Sequence, residues 1–194
     1  LSYKTHHCYW VLTSTQKIVS LDPKLSLTKA ETKSEFEIAA MLHDIGRFTQ
    51  HDGQKILKGS LHPHADVGYD ILKRMGLHNP RILLAVKYHD KYDLWELESE
   101  LDYMMADSNE KEKILRICTL IRDADKLQNL EYILYNHSSY LSLENYINAS
   151  RDQKSASETC IWMLRKKCCF PRDLPETPVE KLLYYFSWIF DIHY

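Results

Sequence analysis

Ten histidines fall in a chain of 194 residues, and their positions matter more than their number. His43 and Asp44 stand side by side after the apolar stretch Phe-Glu-Ile-Ala-Ala-Met-Leu at 36–42. His89 follows Ile82 by seven residues and Val86 by three, so the three side chains share one helical face. Asp125 follows Ile121 by four and shares the apolar face of its own segment. An ionised carboxylate on such a face is costly unless it is paired, hydrogen-bonded, protonated or bound to a metal, so Asp44 and Asp125 demand partners. Arg122 and Lys126 flank Asp125 in the chain but fall on neighbouring faces, whereas several imidazoles have no other evident use. Imidazole and carboxylate together suit Fe, Mn, Co, Ni or Zn better than Mg. One or two divalent transition-metal ions would satisfy all of these groups. Taken singly, a histidine is more often a hydrogen-bonded core or surface residue than a ligand; it is the ordered set that points to a metal.

The elements that must position these residues read as helices. Thr28 with Glu31 and Thr177 with Glu180 have capping-box spacing, and Asn79-Pro80 and Thr177-Pro178 place a side-chain acceptor before a proline. Helices are therefore predicted to start near 28–35, 80, 108 and 178. Apolar residues recur at three and four in Val67, Ile71, Leu72, Met75, then in Ile82, Leu83, Val86, then in Ile114, Ile117, Cys118, Ile121. Segment 36–42, apolar on most faces, predicts a central helix enclosed by the others. Residues 47–62 and the acidic residues 91–108 read as loops. The stretch from Tyr132 onward, rich in Tyr and Trp, reads as further helices without a motif of their own. The expected fold is all-α: one domain, with the site in 1–130 and C-terminal helices 131–194 packed on the same core.

Composition narrows the function classes. With 25 basic and 27 acidic residues the formal net charge is −2, which gives no excess to drive binding to nucleic acid or to a membrane surface. No apolar run reaches the roughly 18–20 residues needed to span a bilayer. Five cysteines, with Cys168 and Cys169 adjacent, do not form a disulfide framework, so the cytoplasm is the expected compartment. The chain opens on Leu1 and stops at Tyr194 inside an apolar run, as a fragment or a processed chain would.

The run Ala39 to Arg47, Ala-Ala-Met-Leu-His-Asp-Ile-Gly-Arg, followed much later by Ala-Asp-Lys-Leu, resembles the HD superfamily of metal-dependent phosphohydrolases. That resemblance covers residues 4 to about 130. It implies that an upstream histidine, the His43-Asp44 pair and a downstream aspartate hold a metal. His7, with Val11 four residues on, fits the first position, and His6 is its rival. Asp125 fits the last, with Asp123 as alternative and as a group that would orient a ligand. His64, before Ala-Asp-Val-Gly, and His89, in Lys-Tyr-His-Asp, resemble the extra ligands of two-metal members that cleave dinucleoside polyphosphates; His62 competes with His64. The Gly-Tyr-Pro signature of the cyclic-di-nucleotide phosphodiesterases is missing, as are the motifs of the alarmone hydrolase-synthetases, so those substrates are disfavoured.

The resemblance implies Asp44 bridging two ions, with His7, His43 and Asp125 on one and His64 and His89 on the other, and a water activated there for attack on phosphorus. Arg47, and more weakly Lys126 and Lys87, are candidates to contact phosphate. The implied substrate is a small phosphorylated molecule, a nucleotide first among them. Two rival readings share the fold: a non-catalytic module that senses a metal or nucleotide, and a di-iron oxygenase. Nothing in the sequence decides between a monomer and a homo-oligomer.

Overall fold

The computed structural model describes residues 2–26, 30–50, 64–104, 107–135, 143–151 and 156–194. The architecture is all-α, with no strand among the described residues. Backbone contacts divide the chain into two compact units, Leu1–Asp125 with Tyr194, and Lys126–His193.

In the first unit, α1 (Ser2–Leu21), α2 (Pro23–Ser26), α3 (Ala30–Leu42), α4 (Ile45–Gln50), α5 (His64–Arg74), α6 (Pro80–Tyr88), α7 (Trp95–Met104) and the first two-thirds of α8 (Ser108–Tyr135) follow in order. α1 packs on α3, α3 on α6, and α5 on both α4 and α6. The larger of two core clusters joins Val11 from α1, Phe36, Ala39 and Ala40 from α3, Ile82 and Ala85 from α6, Leu97 and Leu101 from α7, and Ile114, Ile117 and Ile121 from α8, and a smaller one joins Leu72 of α5 to Leu83 and Val86 of α6. The alanines of α3 matter because small side chains let neighbouring helices approach closely, and both are fully buried.

Local chemistry explains several boundaries. Asn79 accepts the Arg81 backbone N–H at 2.9 Å and Pro80 opens α6, as predicted. Arg81 then ties three helices, through Nη1 to Glu35 Oε2 at 2.8 Å and Nε to Glu110 Oε1 at 2.6 Å. Two residues past the end of α5 stands Gly76, whose φ of +86° suits the left-handed turn that closes a helix. Among the predicted starts, Ala30, Pro80, Ser108 and Pro178 open helices; Thr28 and its capping contact lie outside the described residues.

Three expectations are corrected. Residues 91–108 are not a loop throughout, because α7 occupies Trp95–Met104. Its Leu97 and Leu101, four apart, are both buried, and Glu96 and Glu98 sit in its first turn, where the helix dipole favours negative charge. The loop expected at 47–62 likewise begins inside α4, and 51–62 lie outside the described residues. α3 is not enclosed on all sides: Ile38 and Met41 are each about two-fifths exposed, opposite the buried Phe36, Ala39 and Ala40.

The second unit holds α9 (Leu143–Ser150), α10 (Glu158–Arg165), α11 (Pro178–Ser187) and a 3-10 turn at Trp188–Asp191. α11 packs on α9 and α10. The Thr177–Glu180 capping box forms, and Glu180 also accepts the Ser157 backbone N–H at 2.8 Å. These bonds, that of Ser157 foremost, hold the Glu180 carboxyl down at about 2. None of the five cysteines is in a disulfide. Among the described residues no helix is long and apolar enough to cross a membrane.

Candidate metal centre

Helix periodicity delivers the site residues to one place. His7 lies four before the core residue Val11, His43 three after Ala40 at the end of α3, and His89 three after Val86 at the end of α6. Asp125 lies four after Ile121 on α8, and His64 is the first residue of α5. His7, His43, Asp44, His64 and His89 are all buried.

Their ring nitrogens converge in two pairs. His7 Nε2 and His43 Nε2 are 3.3 Å apart, and His64 Nε2 and His89 Nε2 are 3.0 Å apart. Asp44 stands between the pairs: Oδ1 lies 3.0 Å from His64 Nε2 and 3.6 Å from His89 Nε2, while Oδ2 lies 3.7 Å from His7 Nε2 and 4.0 Å from His43 Nε2. Asp125 Oδ1 closes the first pair, 3.0 Å from His7 Nε2 and 3.7 Å from His43 Nε2. The donor atoms of His7, His43 and Asp125, and those of His43, Asp44 and His89, lie within 4.8 Å of one another.

The hydrogen bonds behind the rings fix which nitrogen faces inward with a lone pair. His43 Nδ1 donates to the Ala40 carbonyl and His89 Nδ1 to the Val86 carbonyl, each at 2.7 Å. A carbonyl can only accept, so in the neutral ring Nδ1 carries the proton and Nε2 is a bare acceptor. Bare Nε2 atoms and two carboxylates crowded together repel one another unless cations sit among them. This donor set, imidazole nitrogen plus carboxylate oxygen with hydrogen bonds behind the rings, fits a divalent transition metal.

Electrostatics follow from the same packing. Burial pushes His43 down to about 4, against the pull of the Asp44 and Asp125 charges, so the ring is neutral at pH 7. For His89 burial acts downward too, but the hydrogen bond to Asp44 and the charges of Asp125, Asp44 and Asp90 outweigh it and the pKa rises. Burial opposes ionisation of Asp44, yet hydrogen bonds with His64 and His89 and the charges of His43 and Arg47 hold it well below the ordinary carboxylate range. Asp125 is likewise depressed, burial being overcome by its bond with His7 and the nearby imidazoles.

The described alternatives of the sequence lie in different surroundings. His6 is exposed and stacks on Trp10 at 5.9 Å, so His7 is the residue that reaches the cluster. Asp123 is buried but accepts the Tyr194 backbone N–H at 3.1 Å, and Asp125 faces the histidines. His62 lies outside the described residues. Arg47 Nε donates to Asp44 Oδ1 at 2.7 Å, with its side chain one-third exposed. Lys126 belongs to the second unit and pairs with Asp191; Lys87 pairs with Glu100 at 2.9 Å.

Two residues went unassigned in the sequence reading. Arg122, buried one turn before Asp125, donates to the carbonyls of Lys91 at 3.1 Å and Tyr92 at 2.7 Å, gripping the turn that follows His89. Its signal was an arginine on an otherwise apolar face. Asp90, directly after His89, lies 3.4 Å from His64 Nδ1 through Oδ2. Gly46 also gains a reason: a Cβ there would come within 2.0 Å of the His64 carbonyl oxygen and 2.7 Å of the Gly68 nitrogen, so α4 and α5 meet backbone to backbone.

Residues 5–130 match the family model described as HD domain. Comparison with curated proteins and with solved structures gives no match.

Proposed function

The chain belongs to the HD-domain family, and on that premise we propose that it is a metal-dependent phosphohydrolase acting on a small phosphorylated molecule, nucleotides first. The observation that carries the reading is Asp44, whose two oxygens face two separate histidine pairs. His7, His43 and Asp125 would hold one ion and His64 and His89 a second, with an Asp44 oxygen toward each. A divalent ion there supplies a water of lowered pKa and polarises phosphoryl oxygens.

The chain's own residues do the positioning. The Ala40 and Val86 carbonyls hold His43 and His89 in the ligand tautomer. Asp44 and Asp125 stay ionised and so offset the charge of bound cations. Arg47 engages Asp44 through Nε, and its partly exposed guanidinium suits a phosphate oxygen beside that carboxylate. Lys126 pairs with Asp191 and Lys87 with Glu100, whereas the carboxylate that Arg47 engages is Asp44 itself, which makes Arg47 the stronger candidate for that contact. Cysteines held outside disulfides suit a reducing compartment such as the cytoplasm.

The test is elemental analysis of the purified chain beside His43→Ala and Asp125→Ala, followed by hydrolysis of p-nitrophenyl phosphate, its diester and nucleoside mono- and triphosphates with Mn, Fe(II), Co, Ni and Zn. Metal that both variants lose, together with chelator-sensitive hydrolysis, is the expected result. A wild type that binds none of these ions overturns the reading. Metal binding without turnover of any phosphoester identifies a sensor instead.

A further inference from the structure

We propose that Asp90 positions His64: its carboxylate takes the His64 Nδ1–H and thereby turns the Nε2 lone pair toward the metal position beside Asp44. The inference rests on the metal-dependent reading above. Asp90 lies in the turn after α6, with Oδ2 3.4 Å from His64 Nδ1. Its Oδ1 is buried without a hydrogen-bond partner among the described residues. A carboxylate oxygen shut away in that manner is costly, and a native structure keeps one only where another demand holds the side chain. The imidazole of His64 is that demand.

The comparison with its neighbours explains why a carboxylate is needed. His43 and His89 close their helices, and each finds an acceptor in the carbonyl three residues earlier. His64 is the first residue of α5, and among the described residues it is Asp90 that lies behind its ring. Asp90 supplies the acceptor from the turn that also carries His89. A carboxylate behind the ring makes Nε2 more basic as well as fixing its orientation. The turn itself is held from two sides, by Arg122 of α8 on the Lys91 and Tyr92 carbonyls and by Lys91 Nζ, 3.8 Å from Asp66 Oδ2 of α5.

Wild type, Asp90→Ala and Asp90→Asn are stripped of metal with a chelator and titrated calorimetrically with Zn2+ and with Mn2+, with thermal melts of the same metal-free samples. Wild type is expected to bind two ions. Asp90→Ala binds one as wild type does and the other about 10–100-fold more weakly. Asp90→Asn, whose amide oxygen still accepts the ring N–H, falls between, and it decides the matter if the alanine variant melts early. In the Zn2+-loaded protein a slowly exchanging His64 ring N–H is seen by NMR in wild type and in the asparagine variant, and is lost in the alanine variant. Unchanged affinity at both positions in Asp90→Ala, equal loss at both, or a wild type that holds one ion only, overturns the inference and leaves the phosphohydrolase reading standing. A wild type that takes up no ion overturns that reading and the inference with it.

Discussion

Oδ1 of Asp44 lies 3.0 Å from Nε2 of His64, while its other oxygen faces His7. One carboxylate thus serves both ends of the cluster. Asp44→Asn keeps the shape but removes the charge, and turns an N–H2 group toward nitrogens that need a cation. Metal affinity is expected to fall at both positions by more than about 100-fold, with hydrolysis lost and the helical content kept. Calorimetric titration with Mn2+ checks this; two ions bound at wild-type affinity would contradict it.

The two histidines that close helices titrate in opposite senses in the metal-free protein. His43 is depressed from 6.5 to about 4, so its contribution to stability is full above pH 6.5 and is lost as pH falls toward 4. His89 is raised above 6.5, so its contribution is full below 6.5 and is lost as pH rises through the folded value. Histidine NMR of the chelated chain should show His89 protonating at higher pH than His43. With metal present, release on acidification begins at the His64–His89 end. The reverse order of protonation would show that burial, and not the carboxylates, dominates at His89.

Much of this site was legible because helical spacing is short-range information. Val11, Ala40, Val86 and Ile121 each mark a buried face, and a histidine or aspartate three or four residues away had to share it. What failed depended on contacts distant in the chain. Nothing near Lys126 in sequence announces Asp191, and nothing near Arg122 announces the Lys91 and Tyr92 carbonyls. α7 was missed because acidic residues alternate with its apolar ones, although two leucines four apart suffice to anchor a helix. The exposed side of α3 was missed because Ile38 and Met41 are apolar, and composition does not say which face has a neighbour.

Arg122 is a buried cation whose bonds include two backbone carbonyls of the turn after His89. Arg122→Met preserves much of the volume and removes those donors. The two carbonyls then lose charged hydrogen bonds and the space around the former cation is left apolar, and a destabilisation of about 2–4 kcal/mol is expected in urea unfolding of the metal-free chain. Metal affinity at the His64–His89 end should weaken, since the turn also carries His89 and Asp90. A variant as stable as wild type would show that the turn holds without this grip.

Gly46 and Gly76 separate two reasons for glycine. At Gly46 an added Cβ meets the His64 carbonyl oxygen at 2.0 Å and the Gly68 nitrogen at 2.7 Å, both backbone atoms that no rotamer change can move. Gly46→Ala must push α4 away from α5, at a cost expected to reach about 3 kcal/mol, and it displaces the residue that supplies the His64 ligand. At Gly76 a Cβ meets nothing within 4 Å, and the only penalty is its φ of +86°. Gly76→Ala should therefore cost about 1 kcal/mol and leave metal binding untouched. Urea unfolding and Mn2+ titration of the two variants give the comparison. Equal losses of stability with unchanged metal affinity in both would mean that the α4–α5 contact plays no part in holding His64.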